Sequence, residues 1–405
     1  MTRPTHLSDF LGLQRSTIGM LCMVILVGMG ERMAERFLPI YLMTLGGGFL
    51  SIGALNGLDN LLSALYSFPG GYLSDRLGIK RALLVFNIIA MGGFLIVILI
   101  STWEAVLIGA VFFLSWTAIS LPATMSLVSK ALPVNKRTMG VSMHSLVRRI
   151  PMALGPVLGG LCIGLWGERN GVRMAFIAAL ILSIVAAVLQ QVLIEDGPPK
   201  TTADGQSFLP EKNPMSLFRK MDQSLKRLLI SDILIRFCEQ IPYAFVVVWS
   251  MKTITAPVTA FQFGLLTGIE MVTALLIYIP VAYFADRGTK KPFVVTTFVF
   301  FTLFPLALLF CRSFTWLVPA FILRGLKEFG EPTRKALIMD LAPENRKAAM
   351  FGLYYLLRDV IVSLAAFGGA FLWQIGPSFN FLVAFSCGLL GTTCFLVWGS
   401  DLSKN

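Results

Sequence analysis

The chain has 405 residues, 56% of them hydrophobic and only 14% charged, with a mean hydropathy of +0.76. Soluble domains carry about 25% charged residues, so this composition excludes a soluble enzyme or binding module and indicates a polytopic membrane protein. The net charge of +12 raises nucleic acid as a partner, but in a chain this apolar basic residues gather in cytoplasmic loops.

The first residues, MTRPTHLSDFLGLQR, are polar, and the apolar run after them is too long for a signal-peptide core, so no cleavable signal is predicted. Runs long enough to span a bilayer, about 20 residues each, are predicted near 17–45, 48–73, 82–101, 103–130, 138–166 and 172–194. A second set is predicted near 228–252, 260–284, 292–312, 315–341, 349–374 and 377–399. Between the sets lies a long polar segment. Its first half is read as a Pro/Gly-rich linker and NPMSLFRKMDQSLKRL as a short amphipathic surface helix. The expected fold is an all-α integral membrane protein with twelve transmembrane helices, arranged as a six-helix bundle over 1–195, a cytoplasmic linker over 196–227 and a six-helix bundle over 228–405.

With the N-terminus inside, the inner loops carry Arg76, Lys80, Arg81, Lys130, Lys136, Arg137, Arg287, Lys290, Lys291, Arg346 and Lys347. The outer loops carry little beyond Arg169, Arg173, Lys252 and Arg312. That bias places both termini in the cytoplasm and explains much of the positive charge without nucleic acid. The six cysteines fall in apolar runs and are read as packing residues. The two histidines, His6 and His144, have no metal-ligand spacing, so neither a metal nor a cofactor is expected.

The two halves repeat. GALNGLDNLLSALYSFPGGYLSDR (53–76) aligns without gaps to GLLTGIEMVTALLIYIPVAYFADR (264–287), matching Gly53 with Gly264, Gly57 with Gly268, Pro69 with Pro280 and Asp75 with Asp286. Asp59 falls on Glu270, acid on acid. Arg32-x-x-Glu35 has a counterpart in Arg236-x-x-Glu239. A duplicated six-span unit is the pattern of a transporter whose site lies between its halves.

GGYLSDRLGIKR carries a resemblance. Gly71, Asp75, Arg76, Gly78, Lys80 and Arg81 fit the loop 2–3 motif of the major facilitator superfamily, with Ile79 at one position where that motif is basic. A degenerate second copy, AYFADRGTKK, supplies Asp286 and Arg287 in the equivalent loop. The resemblance implies two bundles rocking about a midplane site. It also implies a conformational latch formed by Gly71, Asp75, Arg76, Gly78, Lys80, Arg81, Asp286 and Arg287, with Asp75 and Arg76 against the start of span eleven, near Ala348 to Gly352. The plainer reading is that these charges anchor the loop and set topology. GPVLGG (155–160) resembles half of a span-five motif of proton-coupled drug antiporters, the members closest in motif. Close packing through small residues is its plainer reading. Arg324-Gly325 looks like an antiporter motif of span four, displaced here to span ten.

The middles of spans three, six, nine and twelve hold no charge and are expected to face lipid, whereas the other spans hold many. A charge near a bilayer centre costs about 2.5–3.5 kcal/mol on insertion scales, so such residues line interiors or water. The candidate substrate- or proton-binding residues are Glu31, Arg32, Glu35, Arg36, Asp59, Arg148, Arg149, Arg236, Glu239, Glu270, Arg324, Lys327, Glu328, Arg358 and Asp359. Asp232 and Glu331 lie among them. Arg148, Arg149, Arg324, Lys327 and Arg358 suit an anionic substrate. Glu31, Glu35, Asp59 and Glu239 suit proton coupling or a cationic drug. Structural ion pairing is the plainer reading for any single one. Tyr41, Tyr243, Trp249, Tyr354 and Tyr355 either line a cavity or pack.

The expected function is proton-coupled secondary transport of a small organic molecule by alternating access, leaning to efflux by antiport. Proton-linked uptake (symport) of an organic anion such as a carboxylate, sugar acid or siderophore-like compound is the alternative. No ATP-binding G-x-x-x-x-G-K-[ST] is present, which argues against a primary pump. The expected partners are a small-molecule substrate, protons and the bilayer of a bacterial inner membrane, with the chain a monomer.

Overall fold

The computed structural model describes residues 15–114, 116, 120, 137–194, 218–219, 221–285, 289–341 and 347–400. Every regular element among them is helical. In chain order these are α1 (Arg15–Glu35), α2 (Leu38–Thr44), α3 (Phe49–Leu77), α4 (Ile79–Leu99), α5 (Trp103–Phe113), α6 (Arg137–Leu193), α7 (Gln223–Tyr243), α8 (Phe245–Val248), α9 (Ala260–Ala285), α10 (Lys291–Phe310), α11 (Phe314–Leu326), α12 (Glu331–Leu341), α13 (Lys347–Ile375) and α14 (Pro377–Trp398). A π-helical turn, Trp249–Thr253, continues α8. Six helices among the described residues are long and apolar enough to cross a membrane, or seven if the bent pair Gln223–Tyr243 and Phe245–Thr253 is one span.

Several departures from straight spans have local causes. α6 is two helices joined at Gly167, whose φ of 77° is the left-handed conformation that glycine adopts at little cost. Span one is broken between α1 and α2, where Pro39 opens the new helix. Span seven bends by 41° after Tyr243, next to Pro242. Span ten is broken into α11 and α12 by the turn Lys327–Gly330, which Gly330 N–H fastens to Thr297 Oγ1 at 2.5 Å. α7 begins at Gln223, N-capped by Asp222, inside the stretch assigned to the linker, and buries Leu225, Leu228 and Leu229.

The chain forms two compact units. The first comprises Met1–Ser51, Leu62–Thr201 and Thr259–Gly268, the second Ile52–Leu61, Thr202–Val258 and Ile269–Asn405. In the first unit α1 lies along α6. A side chain at Gly155 would meet the Arg32 Cβ at 2.6 Å, and one at Gly159 would strike the Met33 carbonyl. The GPVLGG stretch is therefore a close-packing seam, the plainer of its two readings. Tyr41, Phe94, Phe113 and Phe176 form a ring cluster, and the buried Asn87, Gln190 and Trp116 hydrogen-bond one another.

In the second unit α7 packs on α13 and α14 around Leu225, Leu228, Ile235, Phe298, Tyr354 and Phe395. The α3 segment Ile52–Leu61 belongs here: a side chain at Gly53 would lie 2.5 Å from the Ala370 Cβ, and Asn56 donates to the Gln240 carbonyl at 3.0 Å. Trp249 and Trp373 sit edge to face, closing an aromatic group with Phe245 and Phe381.

Candidate functional site

α7 carries Asp232, Arg236 and Glu239 four and three residues apart, so one helical face presents an acid, a base and an acid in sequence. α12 presents Glu331 and Arg334 at the same three-residue spacing. The end of α11 and its following turn add Arg324 and Lys327, and α13 adds Tyr354, Arg358 and Asp359.

These groups join into one chain of alternating sign. Arg358 reaches Asp359 at 2.7 Å and Asp232 at 3.4 Å. Asp232 also pairs with Arg334 and accepts from the Tyr354 hydroxyl at 3.0 Å. Arg334 donates to Glu331 at 2.7 and 2.8 Å, and Glu331 meets Arg236 at 3.3 Å. Arg236 donates to Glu239 at 2.5 Å, and Lys327 donates to Glu239 at 2.8 Å. Lys327 then stands 3.6 Å from Glu270, which lies 3.3 Å from Arg324. Five acids and five bases alternate from Asp359 to Arg324. Lys335 flanks the chain at Glu331, and Glu328 lies in the field of Lys327.

Burial makes the alternation necessary. Asp232 and Glu270 are 0% exposed and Arg334 is 1% exposed. Each isolated buried ion would cost several kcal/mol, and only good geometry with several partners offsets it. Aromatic faces provide more: Arg358 lies 4.3 Å from the Tyr355 ring centre, and Phe301 is shared by Arg236 and Lys327 at 5.3 and 5.7 Å. The Arg324 guanidinium sits among Tyr243, Phe304 and Phe321 at 5.1–5.7 Å.

Where the chain nears Arg324, a small pocket opens between α7, α10 and α11. Tyr243, Phe300, Phe301 and Phe304 wall it, and Glu239, Arg324 and Lys327 are its charged groups. Span nine, expected to face lipid, thus turns one face to these charges, while Val299, Leu303 and Phe310 point outward.

The first unit gathers a smaller cluster. Arg32 pairs with Glu35 at 2.5 Å on α1. Arg148 lies in the field of Arg32, Glu31 and Arg149. Glu31 is buried and Glu35 half-buried, and both of these acids, expected to suit proton coupling or a cationic drug, have arginine nearby. Arg36 falls at the break after α1, and Asp59 lies in the α3 segment of the second unit.

Of the predicted site residues, Arg236, Glu239, Glu270, Arg324, Lys327, Arg358 and Asp359 meet in the chain, with Glu328 beside it. Of the tyrosines, Tyr243 lines the pocket, Tyr354 binds Asp232, and Tyr41 is packed in the core. Of the latch, Asp286 and Arg287 lie outside the described residues, as do the surroundings of Gly71 and the side chains of Asp75 and Arg76. Gly78 has a φ of 83° at the junction of α3 and α4, with Lys80 and Arg81 in the first turn of α4. Arg334, at the centre of the chain, was not among the candidates. The signal for it was Glu331-x-x-Arg334, the spacing already present at Arg32/Glu35 and Arg236/Glu239.

Long apolar helices around a buried network of charge define a multi-pass membrane transporter. The sequence profile of the Major Facilitator Superfamily matches residues 20–255 and 228–404, and the chain belongs to that family. It is a secondary transporter of that type and not an enzyme. An uncharacterized MFS-type transporter of Methanocaldococcus jannaschii is 23% identical over 366 residues, 87% of each chain. The quinolone resistance protein NorA of Staphylococcus aureus is 24% identical over 188 residues, 46% of this chain and 47% of that one. Among solved structures, the nucleoside transporter NupG matches with a TM-score of 0.79 at 15% identity, covering 95% of this chain and 100% of that one. A POT family transporter in complex with 5-aminolevulinic acid matches with a TM-score of 0.75 at 13% identity, over 94% and 96%.

Proposed function

We propose that this protein carries a small organic anion together with a proton, inward across a bacterial inner membrane, by alternating access. It acts as a monomer with both termini in the cytoplasm. The pocket charges carry this reading. Glu239, the one acid lining the pocket, is held by both Arg236 and Lys327, while Arg324 and Lys327 face the same space. A substrate carboxylate finds two cations there, whereas a substrate cation finds an acid already neutralised. In the first unit, Arg32, Arg148 and Arg149 outnumber Glu31 and Glu35, which favours an anion again. Asp75 and Arg76, with their counterparts Asp286 and Arg287, act as the latch that the loop motif implies.

Efflux by proton antiport is the second reading. Its support is the NorA relative, matched over 46% of the chain, together with the antiporter-like motifs. Proteoliposomes under an imposed pH gradient separate the two. Accumulation of labelled monocarboxylates on the alkaline side supports the first reading. Proton-driven extrusion of a fluoroquinolone, with no anion flux, overturns it in favour of the second.

A further inference from the structure

We infer that the start of α7 and the end of α14 together bind the headgroup of an anionic phospholipid, in the leaflet at that end of the molecule. In the topology proposed above this is the cytoplasmic leaflet. The site is separate from the buried charge chain and from the pocket.

The first observation is the sidedness of α7. Leu225, Leu228 and Leu229 are buried in the core of the second unit. Gln223, Arg227 and Ile230 are exposed, and Lys226 is half-buried. Gln223, Arg227 and Ile230 follow one another at i, i+4 and i+7, so they share one outward face. That face turns from basic to apolar within a turn, since Ile230 is 54% exposed. A basic side chain beside an outward apolar one fits the boundary between headgroups and hydrocarbon.

The second observation is that α14 marks the same boundary. Its outward row Leu389, Leu390, Leu396 and Val397 ends at Trp398, which is 57% exposed. An indole at the end of an apolar row belongs at headgroup level. Arg227 Nη1 reaches the Trp398 carbonyl at 3.5 Å, so the cation of one helix and the indole of the other stand at one level. So long a hydrogen bond is weak, and the remaining guanidinium donors are left for a ligand.

The third observation is charge. Phe218 and Arg219 precede α7 and are exposed, and the Met221 N–H donates to the Phe218 carbonyl at 3.2 Å. The Lys226 ammonium lies 5.4 Å from the Phe218 ring centre. Asp222 is the nearby acid, and its carboxylate is engaged by the Ser224 N–H. Neither Arg219 nor Arg227 has an ion pair among the described residues. Over residues 211–227 the bases Lys212, Arg219, Lys220, Lys226 and Arg227 face only the acids Glu211 and Asp222. A lipid phosphate can take the Arg227 guanidinium bidentately and the Lys226 ammonium as a point charge, while its acyl chains lie along Ile230 and Val397. A soluble anion would use the cations and leave those apolar rows without a role.

Native mass spectrometry of the purified full-length protein, titrated with phosphatidylglycerol or with phosphatidylcholine of the same acyl chains, tests this. Wild type is expected to bind phosphatidylglycerol about fivefold more tightly or better, the effect of a single cation at a membrane surface. Lys226→Gln/Arg227→Gln is expected to weaken phosphatidylglycerol about tenfold or more and to leave phosphatidylcholine unchanged. Lys252→Gln/Arg312→Gln removes the same charge at the far end of these spans and is expected to bind as wild type does. Equal affinity of wild type for the two lipids overturns the inference, and this needs no variant to fold. Unchanged affinity in Lys226→Gln/Arg227→Gln overturns it by placing the lipid elsewhere. An equal loss in Lys252→Gln/Arg312→Gln overturns it in favour of net charge alone. Displacement of the lipid by inorganic phosphate at the same concentration overturns it in favour of a site for free anions. None of these readouts involves a transported substrate, so the transport reading stands or falls separately.

Discussion

The ion pairs described in the two units follow different plans. In the first unit Arg32–Glu35 lies within a single helix at i, i+3 spacing, with side chains 18% and 12% exposed. Such a pair links no two helices and contributes a few tenths of a kcal/mol. In the second unit Asp232 and Arg334 join α7 to α12, Arg358 joins α13 to α7, and Arg324 joins α11 to α9. Each of these pairs ties helices far apart in sequence. The first cluster carries more arginine than acid, while the second is balanced. A cluster with surplus positive charge can receive an anion as it stands. A balanced one can do so only by changing protonation or by releasing a partner.

The largest expected effect breaks the second plan at its centre. Arg334→Ala strips Asp232 of its closest partner in a fully buried setting, and loss of one partner of a buried pair costs about 3–5 kcal/mol. A large fall in thermal midpoint, with reduced folded yield, is the expected outcome in detergent. The corresponding Arg32→Ala in the first unit should shift the midpoint far less. Equal shifts would show that the two clusters carry similar structural load.

Next comes the packing that brings α11 to α9. Gly325→Ala inserts a methyl where the Glu270 carbonyl and the Thr273 side chain already stand. Overpacking of this kind costs about 1–3 kcal/mol. The separation of the Arg324 and Lys327 cations from Glu270 should change with it, so thermal stability and affinity for a monocarboxylate such as benzoate are expected to fall together. Gly352, where an added methyl would meet nothing within 4 Å, provides the matched control, expected to be neutral in both assays. A stable Gly325→Ala protein with unaltered affinity would sever the packing from the binding.

A smaller effect is expected where α7 starts. The Asp222 side chain accepts from the Ser224 N–H at 2.8 Å, and that hydrogen bond holds its carboxyl below the ordinary value of 3.8. Because the folded value is the lower one, the cap's contribution is present above pH 3.8 and is lost as pH falls below it. Asp222→Ala is expected to cost about 1 kcal/mol at neutral pH and nothing further in strong acid. A midpoint difference from wild type that persists well below pH 3 would contradict that account.

The fold class was legible because a bilayer imposes length and composition on every span, and the repeated Gly53/Gly264 and Asp75/Asp286 positions disclosed the duplication. The members of the second cluster were legible one at a time, since ionisable residues in an apolar run stand out. Their pairing was not. Alternation arises when α7, α9, α11, α12 and α13 converge, and no spacing along one helix encodes that. Arg334 was passed over because it falls late in a span predicted as continuous to 341. The turn at Lys327–Gly330 restarts the helix and turns Arg334 onto Asp232. Helix breaks at Arg36, Ala244 and Lys327 were hidden for the same reason. Apolar flanks on both sides of each break read as one run, and only tertiary packing satisfies the freed backbone groups.

The smallest stability effect gives the sharpest functional comparison. Glu35→Gln removes the acid of a pair within one helix, so about 0.5 kcal/mol is the expected cost, near the resolution of a thermal shift. Its electrostatic consequence is larger in binding than in folding. The first cluster gains net positive charge, so its own attraction for a monocarboxylate is expected to rise a few-fold, with the gain shrinking as salt is added. A fall in affinity would show instead that the acid, and not the surplus arginine, holds the substrate, and the anion reading would then rest on the second unit alone.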